Sequence, residues 1–282
     1  MKIYVSTTVN KKNDFFSTAL ALLNEGFKNI ELSAGKYIPN WRLQLEILSN
    51  NANLMLHNYF PPPEVPFVIN LASEKSEIRL KSIAFFLESL EISGSIGSKY
   101  LGIHSGFLLD PDPKELGSAI SKKRKLKYIH AQENFISAVN QLAQKARIEG
   151  VKLLIENNVL TRENLELHGE NILLAVTPDE IIEIFDQLDN QVGLLLDVGH
   201  LNVSSNTLGF DRVDALQLLN KYVEGYHISE NNGDSDQHDF ISNQSWFLEH
   251  LDSKKSFSTL EIHSTNYENL KVSEKILRNY CG

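Results

Sequence analysis

Leu194-Leu195-Leu196-Asp197-Val198-Gly199-His200 is the stretch that most narrows what this chain can fold into. Three consecutive leucines predict a strand buried on both faces. That is the environment of a parallel sheet covered by helices, not of a half-exposed antiparallel ribbon. The run then breaks at a carboxylate, a glycine and an imidazole, so a buried strand delivers two metal-capable groups at its C-terminal end. In α/β sheets and barrels, ligands bind at that end.

The rest of the chain repeats the pattern. Strands are predicted over Ile3–Thr7, Asn29–Ser33, Asn53–His57, Tyr100–His104, Val151–Glu156, Val192–Asp197, Val223–Ser229 and Phe257–Glu261. Helical spacing follows each: Asp14 to about Glu25, Trp41–Leu48, Ser73 to about Glu91, and a long helix ending near Glu149. The series continues with Thr177–Asp186, Asp211–Leu219, Gln244–Leu251 and Tyr267–Tyr280. Eight strands each followed by a helix predict an α/β fold, a single (β/α)8 TIM barrel, with residues 1–282 forming one domain. No low-complexity linker divides the chain, and no Gly-x-Gly-x-x-Gly turn follows the first strand to favour an open doubly wound sheet.

Composition limits the chemistry. The one cysteine, Cys281, permits neither an internal disulfide nor a cysteine-based zinc site, so any metal must be held by His, Asp and Glu. Cysteine usage, an N-terminus that turns polar by Ser6 and the lack of a run of about 18 apolar residues predict a cytoplasmic protein with no membrane partner. A formal charge of −9 argues against a surface that coats nucleic acid. The basic run Lys122–Lys127 reads as a solvated helix start, with contact to a phosphodiester backbone as the alternative.

Read strand by strand, the C-terminal tips carry His57, His104, Glu156, Asp197 with His200, His227 followed by Asp236 and His238, and Glu261. Five of the chain's nine histidines and four acids are therefore aimed at one end of the barrel. Oxygen and imidazole donors without sulfur suit Zn, Mn or Fe better than Ca. His130, His168 and His250 fall outside this set, and His263 lies on the same side as Glu261, as a supporting residue or a loop residue. The loop Pro61–Pro66 after His57 can be neither helix nor central strand. Tyr59 or Phe60 could face a base or sugar, or pack beneath that loop.

These residues resemble the xylose-isomerase-like barrels, and within them the endonuclease IV group of AP endonucleases. The resemblance rests on His57-Asn58-Tyr59, Ile69-Asn70-Leu71-Ala72-Ser73, Ile78–Ile83 and Lys99–Gly106. Further matches are Ile155-Glu156-Asn157, Asp197-x-x-His200, His227, Asp236-x-His238 and Leu260-Glu261. It implies up to three Zn2+ ions: one on His57, His104 and Glu156; a second on Glu156, Asp197, His227 and Glu261; a third on His200, Asp236 and His238. The implied reaction is phosphoester hydrolysis by a metal-bound hydroxide, with Glu156 bridging ions, Glu261 as ligand and candidate base, and His200 a ligand in this reading but a substrate contact in an isomerase. The alternative within the same superfamily is a sugar or sugar-phosphate isomerase or epimerase, using one Mn2+ or another divalent ion and two glutamates. A metal-binding barrel without catalysis is a third class.

The substrate loops depart from the endonuclease pattern. Gly35–Arg42, Pro61–Pro66, the long Ser105–Lys127 excursion, Asn157-Asn158-Val159, Ile228–Asn232 and Asp239–Ser242 all differ from it. The expected partner is therefore a small-molecule phosphoester or sugar in preference to DNA.

Overall fold

The computed structural model describes residues 1–33 and 35–281. Eight parallel strands close into a barrel in chain order: β1 Lys2–Ser6, β2 Asn29–Leu32, β3 Asn53–His57, β4 Tyr100–His104, β5 Lys152–Glu156, β6 Gly193–Asp197, β7 Val223–Ile228 and β8 Phe257–Leu260. The helices are α1 Phe15–Asn24, α2 Trp41–Ser49, α3 Ser76–Ser95, α4 Tyr128–Glu149, α5 Arg162–His168, α6 Pro178–Phe185, α7 Val198–Leu208, α8 Arg212–Leu219 and α9 Tyr267–Cys281. The predicted single (β/α)8 TIM barrel is the fold observed.

Period-two alternation decides what enters the barrel. In β5, Leu153 and Ile155 join the outer core beneath the helices, whereas Leu154 and Glu156 alternate with them and point inward. Tyr4, Met55, Leu154, Leu195 and Phe257 form the floor, with the Tyr4 and Phe257 rings edge to face at 6.0 Å. Small residues make room for this packing. A Cβ at Gly225 would lie 2.5 Å from the Phe257 ring. Above the floor, parallel register sets polar residues level: His104 opposite Glu156, and Asp197 opposite His227.

Gly102 is the tightest of these positions to the polar layer. An added Cβ would stand 2.5 Å from His57 Cδ2 and 2.9 Å from Leu195 Cδ2. Gly102→Ala is expected to displace the His57 ring and cost about 1–3 kcal/mol through overpacking. Urea denaturation measures the cost; an unchanged midpoint would contradict this account of the packing.

Three local expectations need correction. Asp197 and His200 do not both sit on a bare strand tip: Asp197 Oδ1 accepts from His200 N at 2.7 Å and caps α7, which the sequence reading omitted. Residues 244–251 are not an α-helix; Ser242 and Ser245 form a turn there, and only Leu248–His250 coil into a 3-10 turn. The β5 loop contains the unforeseen α5, capped by the Thr161 hydroxyl.

That loop and the 105–127 excursion pack together. Leu109 and Ile120 meet Leu160, Ile172, Leu173 and Val176 in a small side core, joined by an antiparallel bridge between Phe107 and Leu173. The basic run lies in this wall, ahead of α4. Its charges meet acids: Lys123 with Asp112 and Glu115 at 3.0 Å each, Arg124 with Glu74 at 3.1 Å, and Lys125 with Glu170. Phe60 is buried edge-on against Phe15 and Trp41, which answers the question of its role in favour of packing.

Candidate metal centre

The nine side chains singled out in the sequence converge at the C-terminal mouth of the barrel around Glu156. Glu156 is buried at the end of β5. Its Oε2 lies 2.7 Å from His57 Nε2 and 3.1 Å from His104 Nε2, and its Oε1 lies 3.2 Å from His227 Nδ1. His227 Nδ1 is also 2.9 Å from Glu261 Oε2 and 3.9 Å from Asp197 Oδ2. One donor atom from each of Glu156, Asp197, His227 and Glu261 falls within 4.8 Å of the others. His104 is the most open of the five imidazoles gathered here, with 39% of its side chain exposed, and so marks the solvent side.

Among the described residues, the donor groups that lie within 4.8 Å of one another are this quartet and His57 with Glu156 and His227, not His57 with His104 and Glu156. Asp236, His200 and His238 stand beside them as a more open set. Asp236 Oδ2 is 3.2 Å from His200 Nε2 and 2.7 Å from His238 Nε2. Both rings are aimed by main-chain carbonyls: His200 Nδ1–H donates to Asn157 O at 2.8 Å, and His238 Nδ1–H donates to Glu261 O at 2.9 Å. A carbonyl can only accept, so Nδ1 carries the proton in each ring and Nε2 is left to face Asp236.

Local structure holds this loop. His238 adopts φ +54°, a left-handed conformation costing about 1–3 kcal/mol in a non-glycine residue unless its surroundings impose it. Glu230 and Asp239 exchange main-chain hydrogen bonds at 3.0 and 2.7 Å and close the loop at its base. Asn231 Nδ2 donates to Gly199 O at 3.0 Å, tying the loop to the first turn of α7, where His200 resides.

Residues 22–276 match the model of the xylose isomerase-like TIM barrel. The chain belongs to the xylose isomerase-like TIM barrel family. An uncharacterized protein of Methanocaldococcus jannaschii is 26% identical over 240 residues, 84% of this chain and 81% of that protein. A probable endonuclease 4 of Campylobacter concisus is 24% identical over 211 residues, 71% of this chain and 62% of that protein, so this chain spans less than two thirds of its length. Among solved structures, a D-tagatose 3-epimerase-like protein superposes with a TM-score of 0.73 at 20% identity, over 99% of this chain and 97% of that one. At that identity the likeness shows the fold alone.

In this xylose isomerase-like barrel the donors fit divalent cations. Asp197 Oδ2 and Asp236 Oδ1 are buried with no hydrogen-bond partner among the described residues. A carboxylate oxygen stranded in that way costs roughly 1–3 kcal/mol. Two ligands about 2.0–2.1 Å from one tetrahedral ion stand roughly 3.3 Å apart. The 2.9–3.9 Å separations from His227 Nδ1 to its three carboxylates bracket that value. A buried carboxylate and imidazole cluster able to hold a metal is thus present; its geometry leaves the identity of the ion open.

Charge coupling among these donors is strong. Burial alone would lower the His227 pKa, but Glu31, Glu156 and Glu261 lift it well above the usual imidazole value. The same competition raises His200 well above that value, through Asp197, Asp236 and Glu156. Burial would raise Glu156, yet His104, His227 and His57 hold it well below the ordinary carboxylate range. Asp197 goes the other way: burial dominates and pushes it to about 6.

Two residues at the site were placed only by the structure. Glu31, absent from the sequence-derived set, accepts from His227 Nε2 at 3.0 Å. Its signal was available: a lone acid between Ile30 and Leu32 in β2, at the inward-facing phase. His263 stacks on His238 with ring centroids 3.8 Å apart, and its N–H donates to His238 O at 3.0 Å. It thus lies in the loop after β8 and packs directly on the His238 ring. Among the described residues no helix is long and apolar enough to cross a membrane.

Proposed function

We propose that this chain is a metal-dependent phosphoester hydrolase of the endonuclease IV-like kind, holding up to three zinc ions. The observation that carries the reading is the grouping of His200, Asp236 and His238, with both imidazoles pre-aimed by main-chain carbonyls at one carboxylate oxygen. A barrel that needs a single ion has no use for this second, separately built set. His57, His104 and Glu156 would hold one ion; Glu156, Asp197, His227 and Glu261 another; His200, Asp236 and His238 the third. When bound, the ions would neutralise phosphoryl oxygens and acidify a water near neutral pH.

The chain's own residues then orient and transfer protons. Glu156, with one oxygen toward His57 and His104 and the other toward His227, would be the ligand shared between two ions. Glu261, 2.9 Å from His227 Nδ1 through Oε2, would be both ligand and base toward the attacking water, and His200, 3.2 Å from Asp236, a ligand.

The second reading, a sugar or sugar-phosphate epimerase or isomerase with one manganese-type ion, is favoured by the compact quartet Glu156, Asp197, His227 and Glu261. There Glu156 and Glu261 would exchange protons with carbons beside a carbonyl, and a sugar would take the place of the phosphoester. The fold likeness to a D-tagatose 3-epimerase-like protein is compatible with it.

Metal content separates the two. About three zinc per chain, with cleavage of a chromogenic phosphodiester, supports hydrolysis; one manganese per chain with epimerisation of ketoses and no cleavage overturns it. His238→Ala sharpens the test. It is expected to remove about one ion per chain and at least about 99% of phosphodiester cleavage, while a one-ion epimerase would keep most of its activity. Full cleavage by this variant would sink the three-ion reading. A duplex carrying one abasic site, incubated with the zinc-loaded protein, tests DNA as substrate; the rewritten loops lead us to expect no nicking.

A further inference from the structure

Glu31 sits on β2, buried in the barrel interior and separated from β7 and β8 by β1. Its Oε2 accepts from His227 Nε2 at 3.0 Å and from the Thr259 hydroxyl at 2.9 Å. Its Oε1 has no hydrogen-bond partner among the described residues. A carboxyl group buried with so few hydrogen bonds is costly and needs a compensating role. Its partner is the imidazole edge opposite the one that faces Glu156 and Glu261.

We infer that Glu31 is a positioning residue for the metal centre: it holds His227 with the proton on Nε2, so that the Nδ1 lone pair is presented to the ion shared with Glu156, Asp197 and Glu261. The inference rests on the metal-centre reading above. A carboxylate on the far nitrogen fixes both the ring tautomer and its rotation, and makes the near nitrogen a better donor. Thr259, whose side chain alternates inward with Glu261 along the same strand, holds Glu31 in turn. A relay thus runs from β8 through β2 to β7, across the barrel interior. Glutamine at position 31 would keep the shape but present a neutral amide, able to turn its NH2 toward His227 and favour the wrong tautomer.

The test uses the full chain and zinc alone. Wild type and Glu31→Gln are titrated with Zn2+ against a chromophoric chelator, and the His227 ring nitrogens of the zinc-loaded proteins are observed by long-range 15N–1H NMR. We expect one zinc per chain to bind about 10–100-fold more weakly in the variant, the other ions to be little changed, and His227 to lose its single Nε2–H tautomer. Equal zinc affinity with an unchanged His227 spectrum would overturn the role of Glu31 and leave the metal centre standing. No zinc binding by wild type would overturn the metal-centre reading, and this inference with it. If Glu31→Gln does not fold by circular dichroism, Thr259→Val decides: a several-fold weaker zinc site supports the relay, and an unchanged one overturns it.

Discussion

Replacing Glu156 with glutamine is expected to empty two ion positions at once and to lower phosphoester cleavage at least about a thousandfold, roughly 4 kcal/mol of barrier. The size of the effect comes from where the carboxylate stands. His57, His104 and His227 approach it at 2.7, 3.1 and 3.2 Å, and His200 Nδ1 at 3.6 Å. Glutamine offers one acceptor oxygen and no charge, so it cannot serve both sides. Alanine goes further. It leaves buried imidazoles without their shared anion, and breaking a buried charge set by deleting one member costs about 3–5 kcal/mol of stability. Elemental analysis, a cleavage assay and urea denaturation read the three effects separately. Full metal content with full activity in Glu156→Gln would refute the bridging role.

Metal removal is expected to reverse the pH dependence of stability. In the stripped protein, His200 and His227 titrate well above 6.5 once folded. A raised imidazole stabilises fully below its unfolded value and loses that contribution as pH rises through the folded value. Glu156 and Glu261 are held well below 4.5, so their contribution is present above 4.5 and lost as pH falls through the depressed values. Asp197, pushed up to about 6 chiefly by burial, loses its contribution as pH rises from 3.8 to about 6, on the acid side of the histidine loss. Together these place the stripped protein's maximum in mildly acidic solution, with decline above neutrality. Zinc needs the same donors deprotonated, so its stabilisation grows with pH; at a free concentration a hundredfold above Kd, each site adds about 2.7 kcal/mol. Thermal melts of stripped and zinc-loaded protein between about pH 5 and 9 test this. A flat profile for the stripped form would show that these groups do not titrate as a buried cluster.

Much of the molecule was legible from residue order. Leu194–Leu196 announced a strand buried on both faces because an uninterrupted apolar run satisfies no half-exposed sheet, and β6 is buried from Gly193 to Asp197. His57, His104, Glu156 and Glu261 each end or directly follow an apolar strand, and the strand's period places them on the inward phase. Where local reading failed, another force decided. Asp197 was visible as a strand end but equally fits a helix cap, and its bond to His200 N starts α7 on the spot. Gln244–Leu251 has apolar residues near helical spacing, yet Ser242 and Ser245 satisfy main-chain groups in a turn, and Trp246 and Phe247 pack without a helix.

Residue order by itself determined the eight strands, their inward phase and the donor types delivered to one rim, because those depend on periodicities of a few residues. Only the closed barrel decided that Glu31 meets His227 and Thr259, 196 and 228 positions away. It likewise decided which nitrogen of His200, His227 and His238 is left bare, since the partners that choose are carbonyls and a carboxylate on other segments. Such choices are made by contacts between strands far apart in the chain, and no local pattern encodes them.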